Sequence, residues 1–247
     1  YDELSQDVLH NRILKSTLQH LARTSDVDDK LQRELQVLTR RFDAVSNVPL
    51  RRSLFSKIQL HSNNAFYRFL LQICSLVAQN LIPEEKNSGY QFRDFLRDEA
   101  RMCDLFEKFV FNFYDAEQDR YAVDRPHIKW DVIGKPPETL PNMRTDVVLK
   151  SQNHTVILDT KYTPDSLTAY HGTDLYRSNH LYQLFAYLQN AEAMDDRYDR
   201  AEGILLYPTA GINLDDKFEV QGHVMRLCTL DLSQEWSSIK EDLLSLL

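Results

Sequence analysis

Apolar positions recur along this chain with two different periods, and the change of period divides it. In the first ninety or so residues the period is helical. Leu9, Ile13, Leu14, Leu18 and Leu21 form one stripe, and Leu31, Leu35, Leu38, Phe42 and Val45, spaced alternately by four and three, form a second. Phe66, Phe69, Leu70, Ile73, Val77 and Leu81 form a third, with Ser62-Asn63 suited to cap its start and Pro83 to close it. All three stripes read as core-forming. The polar stretch 83–89 holds both proline and glycine, which predicts a helical region over 1–88 and a second domain over 89–247. A long helix is expected over about 91–114, lined by Met102, Leu105, Phe106, Phe109, Val110 and Phe113. Glu107 lies off the centre of that stripe, half-surrounded by Cys103, Val110 and Phe111.

After residue 120 the pattern turns to strands. A β-rich stretch over 121–132 leads to a loop holding Pro136, Pro137 and Pro141. Two strand-like segments, 145–150 and 155–162, follow. The polar segment 163–178 reads as a lid or a DNA-facing loop. Ser178 is placed to cap a helix carrying Gln183 and Tyr187, which are four apart and share a face. Strands are expected over 203–207 and roughly 218–230, and a closing helix over 235–247. This order predicts an α/β fold: a mixed central sheet flanked by helices and preceded by a helical region.

The two segments flank the polar turn Ser151-Gln152-Asn153-His154, a hairpin signal. A turn centred on Gln152 and Asn153 sets Asp146 opposite Asp159, with Cβ atoms roughly 4.5–5.5 Å apart. Lys161, two residues on, points the same way about 6.5 Å along the strand. The run Val156-Ile157-Leu158 is apolar throughout, as in a strand covered on both faces. A surface hairpin with cross-strand ion pairs would explain the charges but not that run. Paired carboxylates repel unless a cation lies between them, and Mg²⁺ favours one or two carboxylates plus phosphate oxygens. The lysine suits a group that orients water or offsets charge on a phosphate. An aspartate, then 12 intervening residues, then Asp-x-Lys is the PD-(D/E)XK nuclease pattern.

Composition narrows the partners. The chain has 247 residues, 43% hydrophobic and 27% charged, as in globular proteins that stay in water, and no apolar run long enough to cross a bilayer. It begins Tyr1-Asp2-Glu3 without Met, which suggests a fragment. Three distant cysteines imply neither disulfides nor zinc and fit a reducing, cytoplasmic setting. A net charge of −8 argues against tight autonomous DNA binding and for a partner that grips the DNA. Arg40, Arg41, Arg51, Arg52 and Lys57 form the densest basic stretch, more in keeping with a solvated helix face than with a DNA track. No Walker motif is present, so nucleotide hydrolysis would have to come from elsewhere.

Leu105-Phe106-Glu107, Arg144-Thr145-Asp146, Leu158-Asp159-Thr160-Lys161-Tyr162 and Tyr182-Gln183-Leu184-Phe185-Ala186-Tyr187 together resemble the McrC family, nuclease subunits of McrBC modification-dependent restriction systems. The opening Tyr1-Asp2-Glu3-Leu4-Ser5 and the helical first half are similar too, so the resemblance covers nearly the whole chain. The Gln-x-x-x-Tyr helix is shared with RecB-like nucleases. One departure is Thr145, where the superfamily pattern has proline. The resemblance implies Mg²⁺-dependent cleavage of double-stranded DNA carrying methylated or hydroxymethylated cytosine, a McrB-type AAA+ GTPase hexamer as partner, and an N-terminal McrB-engaging portion that this chain lacks. In that scheme Asp146, Asp159 and the Thr160 carbonyl hold the metal. Glu107 joins directly or through water, Lys161 positions water, and Gln183 and Tyr187 steady Lys161 or the phosphate. One site cuts one strand, so a dimer is expected. A RecB-like repair nuclease or exonuclease working without a GTPase, or an inactive scaffold bridging motor rings, are the alternatives.

Overall fold

The structure, a computed structural model, describes residues 5–24, 27, 29–58, 67–81, 99–163, 167–170, 173–209 and 212–247. The chain divides into two compact units, 1–102 and 103–247. The boundary expected over 83–89, the caps at Ser62-Asn63 and the helix start over 91–98 lie outside the described residues.

The first unit is helical: α1 (Leu9–Leu21), α2 (Asp29–Arg40), a short α3 (Arg52–Phe55) and α4 (Tyr67–Leu81). Ile13, Leu50, Leu71, Cys74 and Ala78 form its main core, and Ala22, Val27 and Leu35 a smaller one. The second apolar stripe is only half used: Leu35 and Val45 are buried, but Leu31 and Leu38 stay 44% and 42% exposed. α2 ends at Arg40, so Phe42 and Val45 belong to the following turn rather than to the helix. Arg40, Arg41, Arg51 and Lys57 are exposed.

The second unit adopts the expected α/β architecture. Its first helix is α5 (Glu99–Glu117), which belongs to this unit from Cys103 on, followed by β1 (Ala122–Asp124), β2 (His127–Ile128), β3 (Met143–Arg144), β4 (Val147–Lys150) and β5 (Thr155–Thr160). Next come β6 (Leu167–Tyr170), β7 (Thr173–Tyr176), α6 (Ser178–Glu192), β8 (Glu202–Pro208), β9 (Asp215–Val220), β10 (His223–Leu230) and α7 (Trp236–Ser245). Six strands make a mixed sheet in the order β1-β4-β5-β8-β10-β9. β5, β8 and β10 run parallel at its centre, and antiparallel strands close both edges. β5 is buried at all six positions, as its unbroken apolar run requires of a strand sandwiched between helices. On one face Ile157, Leu205, Tyr207, Met225 and Leu227 pack with Leu184, Tyr187 and Leu188 of α6. The alternate positions Val147, Leu149, Val156, Leu158, Ile204 and Leu206 are equally buried. Phe106 of α5 meets Tyr162 at 6.3 Å on that side, and Tyr114 ties α5 to α7 by donating to the Leu243 carbonyl at 2.8 Å.

Three local expectations need correction. The segment 163–178 is not simply a loop, because it carries the antiparallel pair β6–β7. The strand expected over 218–230 is a hairpin. Gln221 and Gly222 both take positive φ, 50° and 88°, the two-residue turn whose twist matches paired strands. Ser178 is also the first helical residue of α6 rather than its cap, which is Arg177.

Gly203 governs how closely α6 approaches the sheet. A Cβ there would lie 2.8 Å from Leu188 Cδ1 and 3.0 Å from Leu184 Cδ2, inside contact distance. The bare glycine lets the helix seat directly on β8.

Candidate functional site

The β4–β5 hairpin forms in the expected register. Val147 faces Leu158, Val148 faces Ile157, and Ser151 N donates to the His154 carbonyl at 2.9 Å across the turn. One step further along, that register sets Asp146 opposite Asp159. The two carboxylates live differently. Asp146 Oδ2 accepts from both the backbone N–H and the hydroxyl of Thr160, each at 2.8 Å. Asp159 is 1% exposed, and neither of its oxygens receives a hydrogen bond. Lys161 Nζ lies 2.5 Å from Asp159 Oδ2, close in charge but without hydrogen-bond geometry. Burial pushes the Asp159 carboxyl up to about 7; Lys161 pulls against that rise and the charge of Asp146 adds to it.

Lys161 is held from the neighbouring helix. Its Nζ donates to Gln183 Oε1 at 2.9 Å, Gln183 Nε2 donates to the Tyr187 hydroxyl at 2.6 Å, and that hydroxyl donates to the Arg144 carbonyl at 2.9 Å. Residues four apart on α6 thus form a short relay from β5 to the end of β3, where the chain turns into Asp146. The Thr160 carbonyl shares the direction of its own N–H, toward β4. Its ladder partner there, the Thr145 N–H, is instead directed at the Pro126 carbonyl at 3.5 Å, which the Thr145 hydroxyl also reaches at 3.0 Å. Thr145 therefore makes contacts that proline could not.

Glu107 is placed beside this group by α5, half-buried, with its Oε1 taken by two arginines. Arg125 Nη1 lies at 2.8 Å and Arg144 Nη2 at 3.1 Å. Burial raises the Glu107 carboxyl, and the nearby charge of Asp146 raises it further. Among the described residues no three His, Cys, Asp or Glu side chains converge closely enough to ligate a metal. The structure thus brings together Asp146, Asp159, Thr160, Lys161, Gln183 and Tyr187, with Glu107 in electrostatic reach.

Sequence reasoning missed Arg125 as a partner of Glu107 and gave Arg144 no role. The two lie 18 and 37 residues from Glu107, so no local periodicity links them. It also passed over His180, one turn before Gln183 on α6, whose Nδ1 lies 3.0 Å from the Tyr207 hydroxyl. Burial lowers His180 to about 4, and Lys161 pushes the same way, so the ring is neutral near pH 7.

Fold and site thus define an α/β protein whose sheet ends in a buried acid, a second acid and a relay-held lysine. A family model described as McrBC 5-methylcytosine restriction system component matches residues 1–208, and the chain belongs to that family. It is 30% identical over 249 residues to the type IV methyl-directed restriction enzyme EcoKMcrBC of Escherichia coli K12, covering 100% of this chain and 71% of that protein. A solved half-complex from a tetradecameric assembly of Thermococcus gammatolerans McrB AAA+ hexamers with bound McrC matches at 18% identity. Its TM-score is 0.44, covering 99% of this chain and 54% of that one. Among the described residues no helix is long and apolar enough to cross a membrane.

Proposed function

We propose that this chain is the nuclease subunit of a modification-dependent restriction system. In this reading it is a Mg²⁺-dependent endonuclease of the PD-(D/E)XK kind, cleaving double-stranded DNA that carries methylated cytosine. Recognition and translocation come from a McrB-type AAA+ GTPase hexamer. Family membership and the methyl-directed E. coli relative support the substrate class. One observation supports the chemistry most: Asp159, fully buried beside a second carboxylate, meets only the Lys161 ammonium at Oδ2, and no donor reaches its Oδ1. A buried polar atom left unanswered costs about 1–3 kcal/mol, more for a charged group, so a fold keeps one only for a purpose.

The donors fit a hard divalent cation, being oxygens only and few in number. Asp146 Oδ1, Asp159 and the Thr160 carbonyl would hold Mg²⁺, and Glu107 would join through water. When bound, the ion supplies Lewis acidity toward a phosphate oxygen. Lys161 orients the attacking water and offsets charge gathering on the phosphate, while Gln183 and Tyr187 fix its ammonium in one place. Because one such centre cuts one strand, two copies act on a duplex.

The test is plasmid cleavage with modified and unmodified cytosines, with and without the GTPase partner and GTP. Asp146→Asn, Asp159→Asn and Lys161→Ala should each lower cleavage by at least ~10²-fold, the scale of losing one electrostatic contact to a transition state. Wild-type rates in any of the three would overturn these roles. Cleavage that needs neither GTP nor modified cytosine would overturn the restriction reading while leaving a nuclease.

A further inference from the structure

Two arginines converge on one oxygen of Glu107, and the fold treats them unequally. Arg125 is built in: its side chain is 21% exposed, it donates to Glu107 Oε1 at 2.8 Å and to the Glu107 carbonyl at 3.3 Å, and its guanidinium lies 4.1 Å over the Phe111 ring. Arg144 is 61% exposed and reaches the same oxygen with a single nitrogen at 3.1 Å. An exposed, single-contact ion pair contributes little. Glu107 is already neutralised by Arg125, so the second cation is surplus to it.

The backbone of Arg144 is fixed where its side chain is not. Its carbonyl accepts the Tyr187 hydroxyl, the last link of the chain that holds Lys161. It lies two residues from Asp146, within about 7 Å along an extended backbone. A guanidinium so placed has a better partner than a half-buried carboxylate: a phosphodiester, which accepts paired N–H bonds from arginine.

We propose that Arg144 is a substrate-positioning residue that exchanges Glu107 for the DNA backbone. Phosphate arrival and the release of Glu107 toward the aspartate pair are then one event. Without DNA, Glu107 carries two guanidinium partners and a divalent cation beside it meets an extra positive charge. With DNA, the phosphate takes up Arg144, Arg125 keeps Glu107 tethered, and the local field turns in favour of the cation. This inference rests on the nuclease reading above.

The experiment follows melting temperature against Mn²⁺ for the full chain, alone and with a short unmodified DNA duplex. In the wild type the duplex should tighten Mn²⁺ binding by about tenfold, the order carried by one charge-assisted hydrogen bond. Arg144→Ala should tighten Mn²⁺ severalfold without DNA and respond little to the duplex. Arg144→Lys should recover part of that response. Glu107→Gln in the Arg144→Ala background should erase the DNA-free gain, because the gain passes through Glu107. The proposal is overturned if the duplex acts equally on wild type and Arg144→Ala, if it does nothing to the wild type, or if Arg144→Ala leaves DNA-free Mn²⁺ binding unchanged. Failure of the nuclease reading looks different: Asp146→Asn and Asp159→Asn would then bind Mn²⁺ as well as the wild type.

Discussion

Asp7 in the helical unit and Asp159 in the sheet unit each face a cationic side chain, Arg12 in the first case and Lys161 in the second. Around Asp7 every acceptor is answered. Oδ1 takes Arg12 Nε and Ser46 N, each at 2.8 Å, while Oδ2 takes Arg12 Nη2 at 2.9 Å and the Ser46 hydroxyl at 2.8 Å. The Arg12 hydrogen bonds, then the Ser46 N–H, hold that carboxyl well below the usual range. Around Asp159 only Lys161 answers, at Oδ2, no donor reaches Oδ1, and burial pushes the group the other way. A carboxylate that ties a chain together collects donors. Asp159 has no donor at Oδ1, and its neighbour Asp146 keeps its two hydrogen bonds on one oxygen, so acceptor capacity is left open at this pair as it is not at Asp7.

The sharpest way to break this contrast is to replace both aspartates by asparagine, which keeps shape and removes charge. Asp159→Asn should lower plasmid cleavage by ~10²-fold or more, whereas Asp7→Asn should leave the rate within a few-fold. Comparable losses in both would mean that unanswered oxygens do not mark the chemistry.

The pH dependence of stability sharpens the contrast with opposite signs. For Asp159 the folded value, about 7, lies above the ordinary 3.8, so the folded state binds the proton more tightly. Its contribution is present below pH 3.8 and is lost as pH rises through 7. For Asp7 the folded value is depressed, so its contribution is present above the ordinary value and lost only as pH falls through the depressed one. In chelator, Asp159→Asn should therefore flatten the stability loss between pH 4 and 7 seen by denaturant titration. At ~1.4 kcal/mol per unit the gain at pH 8 is on the order of 2–4 kcal/mol. Asp7→Asn should lower stability at neutral pH, and its difference from wild type should close only as pH falls into the acid range.

Much of the site's framework was legible in the sequence, because its determinants are local. The turn Ser151–His154 fixes the hairpin register, and the register alone sets Asp146 against Asp159. The uninterrupted Val156-Ile157-Leu158 announces a strand covered on both faces. What was not legible depends on distant partners or on a backbone choice. Glu107 meets arginines from the β1–β2 turn and from β3, which only the folded sheet brings near. The exposure of Leu31 and Leu38 was hidden because an apolar stripe says that a face can be buried, not that anything covers it. The β9–β10 hairpin was missed because Gln221-Gly222 breaks a strand-like run with a single glycine. The bareness of Asp159 itself could not be read at all, since it is a property of what surrounds the residue.

The seat of α6 gives a smaller effect of the same kind. Gly203→Ala would drive a methyl group to within 2.8 Å of Leu188, so the helix must shift outward. A cost of about 1–3 kcal/mol is expected, together with reduced cleavage, because Gln183 leaves Lys161 with the helix. Stability that falls while cleavage holds would show that the relay tolerates displacement.

Tyr187→Phe is the finest test of whether the relay serves the lysine or only the fold. It removes one hydroxyl, which accepts from Gln183 and donates to the Arg144 carbonyl. The stability cost is about 1 kcal/mol, the usual net worth of such a bond. If the relay fixes Lys161, Gln183 loses one of its two tethers and its carbonyl no longer holds a single orientation, so cleavage should fall a few-fold more than the stability change accounts for. If the hydroxyl only braces β3 against α6, stability falls alone. Gln183→Ala separates the two again, because it frees Lys161 from the helix and leaves the Tyr187–Arg144 bond in place. The relay is a functional element only if Gln183→Ala slows cleavage more than Tyr187→Phe while destabilising the fold less.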